Sequence, residues 1–218
     1  MCFSADMSFG SAGLLIATGA VTTLKSSSKQ QKMIAAIPLL FGFQQVAEGI
    51  VWQTMDAGTT SLMHKFGIFL FLAFAFVVWP SWLPWSLYHI EIKEKRKRIL
   101  KVIGLLGLGV SLLAVFMLYG LEIKVNIVGH SLEYDYLNLK EILPPNLEAF
   151  LYFTPTVVPF FISSLRTVKK AGLLVLGSMF LAQAIGRQTT ASVWCFFAAL
   201  ISLYVAVNVL WLQKGKLS

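Results

Sequence analysis

A single glutamate, Glu48, interrupts the long apolar run PLLFGFQQVAEGIVW at 38–52. An ionisable group in such surroundings is costly to bury, so it usually faces a cavity or a partner. A desolvated glutamate suits a proton carrier, a general base or a cation ligand. Gln44 lies one helical turn before Glu48 and Trp52 one turn after it, while Gln45 lies about 100° around the helix. The spacing therefore predicts a polar stripe centred on Glu48.

Two cysteines, Cys2 and Cys195, form a second candidate cluster. Ser192, Cys195 and Ser202 fall close to a common helical face, at spacings of three and seven. Thiolates and carboxylates both bind metals, so Cys2, Cys195 and Glu48 could together hold a metal ion, although no CxxC or paired-histidine spacing supports one. A disulfide, a redox thiol and two separate packing cysteines are the other interpretations, and the sequence leaves them open.

Seven apolar stretches must position these residues. Hydrophobic residues make up 57% of the 218 residues and charged residues 13%. The mean hydropathy is +0.74, so one water-soluble core could not bury this much apolar surface. Each stretch is near the roughly 20 residues that span hydrocarbon. We predict an all-α membrane protein, with a single domain over 1–218 built as a seven-transmembrane helix bundle. The predicted crossings are about 8–24, 33–55, 62–90, 99–120, 146–165, 168–185 and 189–213.

The basic residues alternate between the gaps and predict the orientation. Of 18 Lys and Arg, 14 lie in four short segments, at 25–32, 93–101, 166–170 and 214–216. Because cytoplasmic loops collect Lys and Arg, we expect the N-terminus outside and the C-terminus inside. These loops account for the net charge of +8, so no nucleic-acid partner is expected.

In this orientation the candidate residues collect in the outer third of the bundle. Glu48 lies roughly 10 Å below the outer surface at about 1.5 Å per residue, and Cys195 lies at nearly the same depth. Arg187, at the outer end of the sixth helix, could supply a counter-charge for Glu48. The loop at about 121–145 has alternating segments that predict a hairpin or a lid. The predicted ligand-binding residues are Glu48, Gln44, Gln45, Trp52, Trp194 and Arg187.

Four blocks of the chain resemble the signature segments of a family of uncharacterised bacterial membrane proteins, described only as a domain of unknown function. They are MCFSA at 1–5, PLLFGFQQVAEGIVW at 38–52, WPSWLP at 79–84 and SVWCFFAALIS at 192–202. The resemblance covers nearly the whole chain. It implies a multi-pass protein of the bacterial inner (cytoplasmic) membrane and brings no activity with it.

Three functions fit this sequence. The first is binding of a small molecule, a lipid or a metal ion in an outward-facing polar pocket anchored by Glu48. The second is an enzyme acting on a lipid or quinone head group at the outer leaflet, with Glu48 as base and Cys195 as nucleophile or redox thiol. The third is an accessory subunit that packs on membrane-protein partners and has no site of its own. A hydrogen-bonded Glu48 that only braces helices is the plain alternative to a functional glutamate.

Overall fold

Long apolar helices build the structure, a computed structural model that describes residues 4–26, 28–55, 61–120, 123–136, 144–186 and 189–214; within these ranges, the side chains of 145–146 and 209–214 are not described. The helices and strands in chain order are α1 (Ala5–Lys25), α2 (Lys29–Ala35), α3 (Ile37–Gln53), α4 (Leu62–Ala73), a π-helical turn (Phe74–Val78), α5 (Trp79–Ile90), α6 (Glu94–Gly120), β1 (Ile123–Val128), β2 (Ser131–Tyr136), α7 (Pro145–Thr156), α8 (Val158–Ile162), α9 (Arg166–Ile185) and α10 (Thr190–Lys214).

Six helical segments of the described chain are long and apolar enough to cross a membrane, so this is a multi-pass membrane protein. They are α1, α2 with α3, α4 through α5, α6, α9 and α10 as far as Asn208. The predicted crossing at 146–165 is instead divided into α7 and α8, because Pro159 cannot donate a helical hydrogen bond and its ring crowds the preceding turn. The count of seven crossings and the orientation stay predictions.

Large apolar side chains remain exposed on the outer faces of these helices. Phe116 is 78% exposed and Leu24 83% exposed. Exposing such a large apolar surface to water is unfavourable, whereas lipid chains solvate it. The exposed faces therefore fit the lipid bilayer as surrounding solvent.

The third crossing contains its irregular turn at Phe74–Val78, just before Pro80. A π turn misaligns backbone carbonyls, and Ser111 of α6 donates its hydroxyl to the Val77 carbonyl at 2.6 Å. Helix α6 approaches closely because Gly107 has no side chain: a Cβ there would lie 2.0 Å from the Pro80 carbonyl oxygen. This contact fixes the start of α5, which carries Trp79.

The α1–α2, α5–α6 and α8–α9 connections form one end of the bundle, which we call the basic end. Polar contacts join the α5–α6 connection to the α8–α9 connection. Glu91 accepts hydrogen bonds from the hydroxyl of Ser164 at 2.5 Å and from its backbone N–H at 2.6 Å. Arg96 donates to the Ser163 carbonyl at 2.8 Å. These bonds fix the segment that leads into α9.

The opposite end carries the hairpin formed by β1 and β2, which are antiparallel. Gly129 opens its two-residue turn with φ of 61°, a conformation that glycine adopts without a Cβ clash. Val125 lies opposite Tyr134, and with Leu132 these side chains turn toward the helices and are buried. The hairpin expected within 121–145 is therefore confirmed for 123–136, whereas a lid role stays a prediction.

Candidate functional site

Five buried side chains from α3 and α10 form a polar layer inside the apolar bundle: Gln44, Gln45, Glu48, Ser192 and Cys195. The three from α3 and Ser192 have no exposed surface, and Cys195 is 5% exposed. Polar groups buried in this way need partners, because each unsatisfied group costs about 1–3 kcal/mol. Their hydrogen bonds therefore define what the layer can do.

Two hydrogen bonds cross from α3 to α10. Ser192 Oγ donates to Glu48 Oε1 at 2.5 Å. Gln44 Nε2 donates to Cys195 Sγ at 3.2 Å. The residue one turn earlier on α3 meets the residue one turn later on α10, as expected for antiparallel helices in contact.

Two further helices join the layer. Gln45 Nε2 donates to Glu48 Oε2 at 3.2 Å, and Ser11 Oγ of α1 donates to Gln45 Oε1 at 3.1 Å. Trp79 Nε1 of α5 donates to Gln44 Oε1 at 2.8 Å. Both oxygens of the Glu48 carboxyl group thus accept from protein donors, and the layer connects α1, α3, α5 and α10. Buried networks with this degree of satisfaction rigidify the elements they join.

The hairpin covers the polar layer on the side away from the basic end. The Tyr134 ring stacks on Phe71 of α4, with 4.6 Å between ring centroids and 5° between ring planes. Leu132 and Tyr134 belong to one buried apolar cluster with Val51 of α3 and Cys195. This cluster separates the layer from the hairpin end.

A cavity of about 300 Å³ lies on the other side of the layer and extends to the basic end. Cys195 and Trp194 line it near the layer, whereas Ile90, Arg166 and Asn208 line it at the basic end. Most other lining side chains are aliphatic or aromatic, and the remainder are Ser and Thr. The lining residues of α10 extend from 194 to 208, roughly 20 Å at about 1.5 Å per residue, so the cavity is elongated.

Glu91 anchors the segment that precedes Arg166 at the basic end of this cavity. Burial by itself would raise the pKa of this carboxyl group. Hydrogen bonds from the Ser164 hydroxyl and from the backbone N–H groups of Lys93, Ser164 and Ile92 outweigh that effect and lower the pKa to about 2. Glu91 is therefore ionised at neutral pH and anchors the connection before Arg166.

The family model described as "Family of unknown function (DUF6629)" matches residues 1–216 of the chain. The chain belongs to this family. The resemblance to an uncharacterised family is thereby confirmed, and the description of DUF6629 carries no activity. None of the curated proteins compared with the chain matches it.

In this member of DUF6629, the structure brings together four of the predicted site residues, Gln44, Gln45, Glu48 and Cys195. Trp194 lies at the neighbouring wall of the cavity, and its Nε1 donates to the Val175 carbonyl of α9 at 3.1 Å. The outward-facing pocket around Glu48 stays a prediction. The cavity in the described residues lies on the basic side of the layer.

Other predicted residues do not join the polar layer. Trp52 packs in the hairpin cluster, and its buried Nε1 has no hydrogen-bond partner in the described part of the chain. Cys2 and Arg187 lie outside the described residues. No group of three His, Cys, Asp or Glu side chains within the described ranges could hold a metal ion. The metal site of Cys2, Cys195 and Glu48 therefore stays a prediction.

Ser11 and Trp79 complete the layer but are not among the predicted site residues. Ser11 lies three positions after Ser8 on α1, so the two serines share one face of an apolar helix, and Ser8 is fully buried. This polar pair is the sequence feature that could have indicated a role for Ser11. Trp79 precedes Pro80 in a tryptophan-rich segment typical of membrane interfaces, so nothing local indicates that its N–H turns inward. Its partner on α3 is distant in sequence.

Proposed function

We propose that this protein binds the hydrocarbon chain of a small molecule inside the membrane, in the cavity between the polar layer and the basic end. The observation that carries the proposal is the apolar lining of about 300 Å³ of space. Dry apolar cavities take apolar ligands, and one of about 150 Å³ holds the six carbons of benzene. By proportion, this cavity has room for roughly twelve carbon atoms.

The energetics of the apolar lining also support an occupant. A chain that fills this space covers apolar side chains that otherwise face it, and a ligand that binds only the folded protein stabilises the folded state. Ligand pockets in proteins also begin at about this volume.

The polar layer serves in this proposal as the closed end of the cavity. Ser192 and Gln45 each donate to one oxygen of Glu48, so this carboxyl group already has partners within the protein. Cys195 and Trp194 border the chain instead, at the wall that the cavity shares with the layer. The ligand-binding role predicted for Glu48 is therefore separable by experiment from binding in the cavity.

We further propose that the basic end faces the bacterial cytoplasm, as the distribution of Lys and Arg favours. Helices α7 and α8 then form the remaining crossing, since α7 begins after the hairpin and α8 ends at Ile162, next to the Ser163 carbonyl that Arg96 binds. From 145 to 162 they can span about 27 Å, close to the hydrocarbon thickness. Alkaline phosphatase should be active when inserted at Gly129 and inactive when fused after Ser218. The reverse pattern would contradict this orientation.

Native mass spectrometry tests the function. The protein is purified in a rigid sterol-based detergent, because linear alkyl detergents would compete for the cavity. We expect wild-type protein to retain about one small amphiphile per chain. Ala198→Phe, which fills the lining of the cavity, should lose it.

Two control variants make the result decisive. Ala184→Phe places the same ring on an exposed position of α9 and should retain the ligand. Glu48→Gln should also retain it, because Glu48 is not among the described lining residues. Retention of the ligand by Ala198→Phe together with its loss from Glu48→Gln would contradict binding in the cavity and would place the binding site at the polar layer.

A further inference from the structure

We infer that the occupant of the cavity is a single-chain amphiphile with an anionic head, of the fatty-acid class, and that Arg166 binds the head at the basic end. This inference rests on the proposed function and adds the chemistry and direction of the ligand. Four features of the cavity support it.

The first feature is the state of Arg166. Its side chain is exposed and lines the cavity mouth, at the first residue of α9. Within the described ranges its guanidinium group makes no hydrogen bond or ion pair. Arg96, by contrast, donates to the Ser163 carbonyl. A guanidinium group presents several N–H donors in a fork that matches a carboxylate, so Arg166 is available to an anion.

The second feature is the charge around the mouth. Glu91 is a buried carboxylate in the connection before α6. It accepts hydrogen bonds from Ser164 and from the backbone N–H groups of Ile92 and Lys93. The adjoining segments are rich in Lys and Arg. An anionic head is therefore attracted to this end, whereas a cationic head would be repelled.

The third feature is the closed end of the cavity. There the amide of Gln44 receives the indole N–H of Trp79 and donates to the Cys195 thiol. Because these polar groups are already joined to one another, a hydrocarbon terminus can lie against them without stripping a bond. The chain end therefore points to Trp79 and Trp194, and the head points to Arg166.

The fourth feature is size. Room for roughly twelve carbon atoms accommodates one acyl chain and excludes the second chain of a membrane phospholipid. A free fatty acid meets all four conditions. One chain of an anionic phospholipid shares the head chemistry and is the alternative that the experiment must separate.

The experiment measures quenching of tryptophan fluorescence by dodecanoic acid brominated at its terminal carbon. The protein is reconstituted in nanodiscs of zwitterionic phosphatidylcholine, and dodecanol brominated at the far end is the neutral probe of matched chain. We expect the acid to bind wild-type protein about tenfold more tightly than the alcohol, a typical factor for one charge-assisted contact. Arg166→Gln should remove this preference while leaving the alcohol bound.

Control variants and probes distinguish the possible failures. Lys101→Gln removes an exposed charge of the basic end outside the cavity lining and should keep the preference for the acid. If Arg166→Gln keeps that preference too, the head assignment is wrong although the cavity still binds chains. If neither probe quenches wild-type protein more than it quenches Ala198→Phe, the proposed function itself is wrong.

Two further outcomes would overturn the ligand class or its direction. Because Trp82 lies toward the basic end, the Trp194→Phe variant is used to isolate the quenching of Trp194. Stronger quenching of Trp194 by dodecanoic acid brominated next to its carboxylate than by the terminal isomer would reverse the orientation. Displacement of the probe when the nanodiscs contain phosphatidylglycerol would identify an anionic phospholipid as the occupant. Retention of the probe under that condition supports the free acid.

Discussion

The polar layer and the cavity are stacked within one bundle, yet their polar groups are used in opposite ways. In the layer, Ser192 and Gln44 bond to partners on another helix. In the cavity wall, Ser86 and Ser202 turn their hydroxyls back to carbonyls of their own helices, at 2.8 and 2.5 Å. The layer therefore joins helices, whereas these two hydroxyls of the cavity wall make no polar demand on whatever fills the cavity.

This difference follows from the physics of a bilayer. Lipid chains are as apolar as leucine side chains, so the hydrophobic effect provides little driving force for helices to associate within the bilayer. Interhelical hydrogen bonds and close packing must hold them together, and the layer supplies such bonds among four helices. The cavity can then remain a space between helices that are fixed elsewhere.

The largest expected effect comes from breaking the layer at Glu48. Glu48→Ala leaves the Ser192 hydroxyl and the Gln45 amide buried without their shared acceptor. We expect the free energy of unfolding to fall by about 3–5 kcal/mol, a decrease in Tm of roughly 6–20 °C. Thermal unfolding followed by tryptophan fluorescence in sterol-based detergent measures this change.

Glu94→Ala is the matched control, because Glu94 is an exposed glutamate at the basic end. Its substitution should change the free energy of unfolding by less than about 0.5 kcal/mol. Equal Tm values for the two variants would mean that the layer does not hold the helices together.

Glu91 tests the framework of the cavity mouth through pH. Its folded-state pKa is lowered from 4.5 to about 2, so the ionised form is the one that stabilises the fold. This stabilisation is present above pH 4.5 and is lost as the pH falls from about 4.5 to about 2. Wild-type protein should lose about 2 kcal/mol more than Glu91→Gln across that interval, measured as the pH dependence of Tm. Parallel curves for the two proteins would refute the assignment.

The polar layer was largely predictable from sequence because its signal is local. A glutamate in an apolar run, with Gln44 one turn away, predicts a polar stripe whatever surrounds it. Counting residues from the helix end then matches Cys195 to the same depth. The structure adds that α3 and α10 are in contact, which no spacing within either helix could indicate.

The cavity was not predictable in the same way. A cavity forms where side chains from helices far apart in sequence leave a space unfilled. Neither the periodicity nor the composition of the sequence indicates where such a space lies. In the sequence Arg166 is one of the orienting charges at 166–170, and nothing in its neighbours indicates that it lines a cavity. The prolines at 155 and 159 are the sequence feature that predicts an interruption of the helix within 146–165.

The smallest effects give the sharpest comparison, because Ser192 and Ser202 lie on the same helix and are both buried. Ser192→Ala removes a donor to Glu48 and should lower the free energy of unfolding by about 1–2 kcal/mol. Ser202→Ala removes only a bond to the Ala199 carbonyl of its own helix, so its effect should stay below about 0.5 kcal/mol and the retained ligand should be unchanged. Both values come from thermal unfolding of the two variants side by side. A cost for Ser202→Ala as large as that for Ser192→Ala would mean that the cavity wall depends on its polar groups as the layer does, and the contrast between the two regions would fail.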